Sequence, residues 1–344
     1  MILFFLVIGL CSGLNYAVII DTSRLWANYR HTSNVLVIYQ IVREMGIPDS
    51  RITMMLNGDI ACNSRNTDPG TVFHTRSENL YNNVELDYRG DEISKETIVR
   101  LFQGKYPGFT PRDRRLLVQD DDNVFVFLTG HSGIGFAKIQ DAEELYAVDL
   151  GRVFKEMDAA GRYESLFWIG DTCRAASLHN EFYSKNVVAV GSSKELESSY
   201  SRHGDRELGV SIVDRFSFHS DEVIRKALLS RKEISLTIDR FSKMFTRTQL
   251  LSEVSFRPHG GGRNATLVEY LSGTDSIRNA GWKIGSFKLT PLAEVFKTKD
   301  VNPRVYSQKE TSFVVAPPAV PAKQAWNDRW PVAILVVLLA FIFK

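Results

Sequence analysis

The stretch Leu166-Phe-Trp-Ile-Gly-Asp-Thr-Cys173-Arg-Ala-Ala-Ser177 decides how this chain folds: an apolar run that stops at a cysteine and continues in small residues. A run of this length between turn signals fits a strand covered on both faces, as in a parallel sheet. Ligands of open α/β sheets bind beyond the carboxyl ends of such strands, and Cys173 falls at that end. Two readings stand at this point. Free cysteine is among the most buried residue types, so Cys173 could be plain core; or it is a thiol presented for chemistry.

A second stretch has the same design. Asn123-Val-Phe-Val-Phe-Leu-Thr-Gly-His131-Ser-Gly-Ile-Gly135 is a β-rich run followed by a glycine-flanked histidine. If the two strands are parallel neighbours, both side chains emerge at one sheet edge, where an imidazole takes the thiol proton. The pair turns Cys173 from a core residue into a candidate nucleophile with His131 as its base.

Working outward, strand and helix signals alternate. The run from Asn15 to Arg24 reads as a strand ending in a polar loop, the segment from Trp26 to Gly46 as a helix, and Arg51–Leu56 as a second strand, which together predict a parallel pair with a right-handed crossover. Helices are predicted over Ser94–Gly104, Ala142–Ala160, Gly209–Phe218 and Asp221–Lys243, with Leu145, Val148, Leu150, Val153, Phe154 and Met157 inward on the second. Val187–Ser193 is a further short strand, and Ser192 and Ser193 at its end are expected to wall a substrate cleft. Glu85 and Asp87 alternate on an extended segment, read either as solvated charges or as oxygen ligands of a cation.

At 344 residues, 44% hydrophobic and 24% charged, the body is ordinary for a globular protein, and a net charge of +2 without a basic block argues against a nucleic-acid partner. Residues 1–13 form an uncharged apolar run ending Cys11-Ser-Gly13, expected to be a secretory signal, the alternative being a first buried strand. Removal of the signal takes Cys11 with it. Cys62 and Cys173 then remain, and an oxidising lumen calls for one catalytic thiol and one bridged to a partner chain.

Residues 301–325, with Ala316-Pro-Pro-Ala-Val-Pro321, read as an extended spacer, and 326–344 as a short membrane segment with Trp326 and Trp330 as anchors. The apolar part reaches only about 20 Å as a helix against a hydrocarbon core of about 30 Å, so the span is marginal, and a tail removed during lipid anchoring is the rival reading. Asn264-Ala-Thr266 is a glycan acceptor triplet.

Thr22-Ser-Arg24, Asn28-Tyr-Arg-His31, Gly46-Ile-Pro-Asp-Ser50, Ala61-Cys-Asn63, Thr129-Gly-His131, Phe136-Ala-Lys-Ile-Gln-Asp141 and Asp171-Thr-Cys173 follow one another in a specific order. In this the chain resembles the catalytic subunits of glycosylphosphatidylinositol (GPI) transamidases, members of the legumain-like, caspase-fold cysteine peptidases. The resemblance covers roughly residues 15 to 200. It implies an α/β fold, a caspase-like three-layer sandwich with a mostly parallel six-stranded sheet, over residues 14–300. It also implies a single-pass protein of the endoplasmic reticulum membrane with its catalytic domain in the lumen, assembled with other membrane subunits.

By the same matching, Cys173 resembles the nucleophile, His131 the base and Asn28 the residue that orients the histidine. The backbone N–H groups of Ser132 and Cys173 would form the oxyanion hole, although the family pattern often has glycine where Ser132 stands. Cys62 resembles a cysteine bridged to a T-type subunit, and Asp49, the Ile52 carbonyl, Glu85 and Asp87 match a calcium site, making calcium the one expected, structural, cofactor. The implied reaction cleaves the carboxyl-terminal attachment signal of a proprotein through a thioester and passes the new terminus to the ethanolamine amine of the glycolipid. The alternative is a legumain-type asparaginyl endopeptidase; a catalytically dead scaffold is the reading from a different class.

Overall fold

The apolar runs pair as expected, each stripe of alternate residues serving a different core. The computed structural model describes residues 13–75, 78–202, 204–229, 236–260 and 262–273. Most of the expected signal, the spacer, the membrane segment and residues 274–300 lie outside these. Among the described residues no helix is long and apolar enough to cross a membrane.

In chain order the strands are β1 (Asn15–Asp21), β2 (Ile52–Leu56), β3 (Tyr88–Arg89), β4 (Asn123–Thr129), β5 (Ser132–Gly133), β6 (Phe136–Ile139), β7 (Glu143–Tyr146), β8 (Ser165–Asp171), β9 (Val187–Gly191) and β10 (Ser255–Pro258). The helices are α1 (Tyr29–Glu44), α2 (Lys95–Gln103), α3 (Ala147–Ala159), α4 (Ala175–His179), α5 (Arg215–Leu229), α6 (Ile238–Ser242), α7 (Arg247–Leu250) and α8 (Leu267–Leu271). Seven strands form the main sheet in the order β10-β9-β8-β4-β1-β2-β3, all parallel except β10, rather than the six expected. The sequence did not single out the two-residue β3 or the antiparallel edge strand β10, which are too short or too polar to signal themselves.

Odd and even residues of each strand divide between two cores. Ala17, Ile19, Phe125, Phe127, Phe167 and Ile169 face the core shared with α1 and α5. Val18, Ile20, Val126, Leu128, Leu166 and Trp168 face the one shared with α2 and α3. Side chains of this size contribute about 1.5–3 kcal/mol each when fully buried, which fixes the register, since a one-residue slip would exchange the cores.

Three readings of the sequence are corrected. The helix predicted from Ala142 begins at Ala147, because Gln140 and Asp141 both take positive φ (56° and 58°) and turn the chain into the small antiparallel sheet β5-β6-β7. Val148, expected inward, is 60% exposed on the first turn of α3. The segment before Arg215 is not helical: Ser201 bridges Asp214 and Gly204 bridges Ser211, so α5 starts only at Arg215.

Strand order places the topological switch between β1, whose next strand β2 lies on one side, and β4, whose successors β8 and β9 lie on the other. The crevice at the carboxyl ends of β1 and β4 is therefore where a ligand belongs.

Candidate active site

Three turns leave the sheet at this crevice. The first follows β1 and carries Asn28, the second follows β4 and carries His131, and the third follows β8 and carries Cys173. Thr129 is in register with both Asp21 and Asp171, so His131 and Cys173 each stand two residues past a shared row of the sheet.

The Asn28 Nδ2 amide donates to Arg24 O at 2.6 Å, which turns Oδ1 toward His131 Nε2 at 2.8 Å. The ring accordingly donates from Nε2, and its Nδ1 carries the free lone pair. His131 packs edge-on against His31, with ring centroids 5.0 Å apart. Burial holds the His131 pKa below its ordinary value, with the Arg30 guanidinium and Lys138 adding to the effect and Asp141 opposing it. The imidazole is thus neutral near pH 7, as a base must be. Gly130, just before it, has φ 147°, and a Cβ there would fall 2.0 Å from Thr22 Oγ1; the β1 and β4 turns approach too closely for any other residue.

The Cys173 turn is clamped from beneath. Ser192 Oγ accepts from Thr172 N at 3.2 Å, Ser193 Oγ donates to Thr172 O at 2.9 Å, and Ala175 N donates to Ser193 Oγ at 3.0 Å. Arg174 N and Ala176 N donate to Glu197 O and Ser193 O. Each backbone N–H from Thr172 to Ala176 other than that of Cys173 therefore has an assigned acceptor. Ser192 and Ser193 are fully buried and do not wall a cleft; small hydroxyls after a buried strand brace the neighbouring turn instead.

Ser132 Oγ donates to Cys173 O and receives the Thr172 hydroxyl at 2.6 Å, which stitches the histidine turn to the cysteine turn. Arg174 adopts a left-handed conformation (φ 53°), turning the chain sharply into α4 and leaving the half-buried Cys173 at the bend. Its thiol points to Ser199 O at 3.8 Å.

Beneath the turns lies a polar layer that motif reading alone did not assemble. Asp171 accepts from Ser217 Oγ at 2.6 Å and Ser199 Oγ at 3.1 Å, and Asp214 accepts from Asn34 Nδ2 at 2.7 Å and pairs with Arg30 at 3.2 Å. Burial raises both carboxyls' pKa values, Asp214 to about 7, with the neighbouring Asp171 adding to the rise. Asp21, bonded to Thr32 Oγ1 and Ser23 N, is likewise pushed up to about 7 by burial. The sequence signal for this layer was adjacency: Asp171 is part of Asp171-Thr-Cys173, and Arg30 and His31 follow Asn28.

The other candidates lie apart from the crevice. Cys62 is exposed in the loop after β2, a free thiol. Asn264 is exposed at the end of a short 3-10 turn. Of the four expected calcium ligands, Asp49 accepts from Tyr39 OH at 2.5 Å and pairs with Arg43 at 3.2 Å, and Ile52 opens β2. Asp87 accepts from Met54 N at 2.8 Å, while the Glu85 N–H donates to Tyr39 OH at 3.0 Å. Burial pushes Asp87 up to about 6, with repulsion from Asp113 and Glu85 added. Among the described residues no three acidic, histidine or cysteine side chains converge to hold a metal, and Arg43 already neutralises Asp49.

The model of the Peptidase C13 family matches residues 15–248. The GPI-anchor transamidase of Saccharomyces cerevisiae is 42% identical over 257 residues, covering 74% of this chain and 62% of that protein. Its namesake in Schizosaccharomyces pombe is 45% identical over 225 residues, 64% of this chain and 59% of the relative. The human GPI-anchor transamidase is 44% identical over 215 residues, 62% of this chain and 54% of the relative. The matched region thus spans less than two thirds of the length of these relatives. Caspase-1 of Spodoptera frugiperda superposes over 77% of this chain and 92% of its own at 10% identity, with a TM-score of 0.41, too loosely to bear on the argument.

Proposed function

The chain belongs to the Peptidase C13 family, and from that premise we propose that it is the catalytic cysteine subunit of a GPI-anchor transamidase. What carries this reading is the Asn28–His131 bond across the switch crevice, with Cys173 at the bend of the adjoining turn. Relatives named GPI-anchor transamidase at 42–45% identity favour transamidation over the hydrolysis of an asparaginyl endopeptidase.

In the proposed reaction His131 Nδ1 takes the thiol proton and Cys173 sulfur attacks the carbonyl carbon of a proprotein's attachment residue. The N–H of Cys173, whose neighbours along the turn are all engaged, receives the developing oxyanion together with that of Ser132. The C–N bond breaks as the imidazolium returns its proton to the leaving nitrogen, and the acyl group stays as a thioester on Cys173. The ethanolamine amine of the glycolipid then attacks the thioester, its proton passes to His131, and the thiol is released.

The wider setting is part of the same proposal: the endoplasmic reticulum membrane, companion membrane subunits with a disulfide from Cys62 to a T-type subunit, and a glycan on Asn264. The exposure of Cys62 leaves its thiol accessible to a partner, and that of Asn264 leaves its amide accessible to a glycan. A structural calcium held by Asp49, Ile52 O, Glu85 and Asp87 is supported by the crowding of charge at Asp87 and requires Asp49 to release Arg43. Cells lacking the transamidase catalytic subunit, supplied with this chain, should regain anchor attachment. Cys173→Ala should restore none, and attachment by the variant would overturn the assignment.

A further inference from the structure

A groove beside the Cys173 turn holds donors that the acyl-transfer chemistry does not use. It is open, about 490 Å³ in volume, and is walled by the end of α4, the loop after β9 and the edge strand β10. His179, the last residue of α4, lines it at only 2% exposure. Its Nδ1 is sealed off without a hydrogen-bond partner, which leaves Nε2 as the nitrogen that meets the groove, and among the described residues that atom has no bond either. Burial lowers the pKa of the ring to about 3, with Arg257, His259 and Lys194 adding to the fall, so the imidazole is neutral and has one N–H to give. Buried polar groups are as a rule paired, and an idle imidazole lining a cavity points to a ligand.

The charge of the groove says which ligand. Arg257, on β10, is fixed by Nε donating to His259 Nε2 at 2.9 Å and Nη1 donating to Asn180 Oδ1 at 3.1 Å, which leaves Nη2 unspent. Lys194 adds a second cation, and among the described residues neither pairs with a carboxylate. Of the carboxylates in the lining, Glu197 is neutralised by Arg247 at 2.9 Å. Glu195 accepts from Asn180 Nδ2 at 3.5 Å, a bond at the limit of length that an incoming anion replaces.

Donors thus converge from three elements rather than from one plane. A carboxylate offers its oxygens in a plane, whereas a tetrahedral phosphate offers them in three directions. We propose that this groove is a phosphate-binding site, in which Arg257 and Lys194 supply the charge and His179 Nε2 and Asn180 Nδ2 donate to the phosphoryl oxygens. Free phosphate and a lipid phosphate headgroup present the same chemistry here. Ala176 and Glu197 line the groove as well, and both belong to the backbone bonds that hold the turn after Cys173: Ala176 N donates to Ser193 O at 3.1 Å, and Glu197 O accepts from Arg174 N at 2.8 Å. The site therefore adjoins the Cys173 turn, yet it needs nothing of the acyl-transfer reading.

The test dialyses the full chain, purified in detergent, to equilibrium against radiolabelled inorganic phosphate in chloride buffer. Saturable binding of one phosphate per chain is expected, undisturbed by acetate. Arg257→Gln and Lys194→Gln should each weaken it about tenfold or more, the loss of one charge-assisted bond. Lys194 is exposed, so its variant keeps the test open should Arg257→Gln not fold. Lys243→Gln, whose lysine pairs with Asp239 outside the groove, should bind as the wild type does. Displacement by glycerophosphoethanolamine, a soluble headgroup, assigns the site to a lipid, and indifference to it assigns the site to free phosphate; either result sustains the proposal. Absence of saturable binding, displacement by acetate, equal binding by wild type and Lys194→Gln, or equal losses in Lys194→Gln and Lys243→Gln overturns it. Cys173→Ala should bind phosphate unchanged, which keeps this outcome separate from that of the acyl-transfer reading.

Discussion

The turn after β8 and the turn after β1 face the same crevice and are built in opposite ways. Around Cys173, buried hydroxyls of Ser192 and Ser193 occupy the backbone groups of Thr172 and Ala175, and Ser132 holds the cysteine carbonyl. Around Leu25 the anchoring is by Trp26 and Asn28 on one side, and backbone strain (φ 75°) is tolerated at an exposed apolar residue. The first turn fixes the proposed nucleophile; the second holds Asn28 against His131. Position is obtained from satisfied polar groups, whereas the strained Leu25 conformation persists only because the surrounding bonds over-determine it.

The largest test of this contrast is chemical. His131→Ala should lower acyl transfer about 10²–10⁴-fold, the usual range for a positioned acid–base group, with folding retained. Asn28→Ala leaves the base present and unoriented, and should cost up to about 10²-fold, measured as kcat with a proprotein reporter. Equal losses for the two would deny Asn28 its merely orienting role.

Ser193→Ala should next remove an acceptor from Ala175 N in a fully buried place, costing about 1–3 kcal/mol in denaturant unfolding. Activity should fall with it, because the Cys173 turn loses its brace. If stability drops and single-turnover rate does not, the clamp serves folding alone.

A smaller effect follows from the polar layer under both turns. Asp21 has a folded pKa of about 7, above its ordinary value of about 3.9, so the folded state binds more protons between those values and stability falls as pH rises from about 4 to 7. Asp21→Asn should flatten that decline in Tm across the window. His131 is shifted the other way, its pKa depressed, so the acid limb of the rate profile should fall below about pH 6.5. The smallest expected change is in the turn after β1: Leu25→Gly should raise stability by ~1 kcal/mol as strain is released.

The fold was legible wherever burial on both faces left an uninterrupted apolar run, as in β1, β4, β8 and β9. The crevice was legible where such runs led to His131 and Cys173, which stand past one shared row of the sheet. The start of α3 was misjudged because Leu145 is buried in either a strand or a helix, and only the paired positive φ values of Gln140 and Asp141 decide between them. Ser192 and Ser193 were placed at the right strand end but on the wrong side of it, since a short polar side chain reads alike whether it faces substrate or braces a turn. Asp214 reaches the site from 180 residues beyond Asn34, and no local pattern announces so distant a partner.

The central claim, that Cys173 carries the acyl group between a leaving peptide and an incoming amine, is tested most directly by trapping. The assembled enzyme would be mixed with a proprotein reporter and no amine, quenched in acid, and the Cys173 peptide weighed. The account predicts the mass of the acyl adduct on Cys173, discharged by hydroxylamine and missing in His131→Ala. Release of the leaving segment at the wild-type rate with Cys173 unmodified would contradict it.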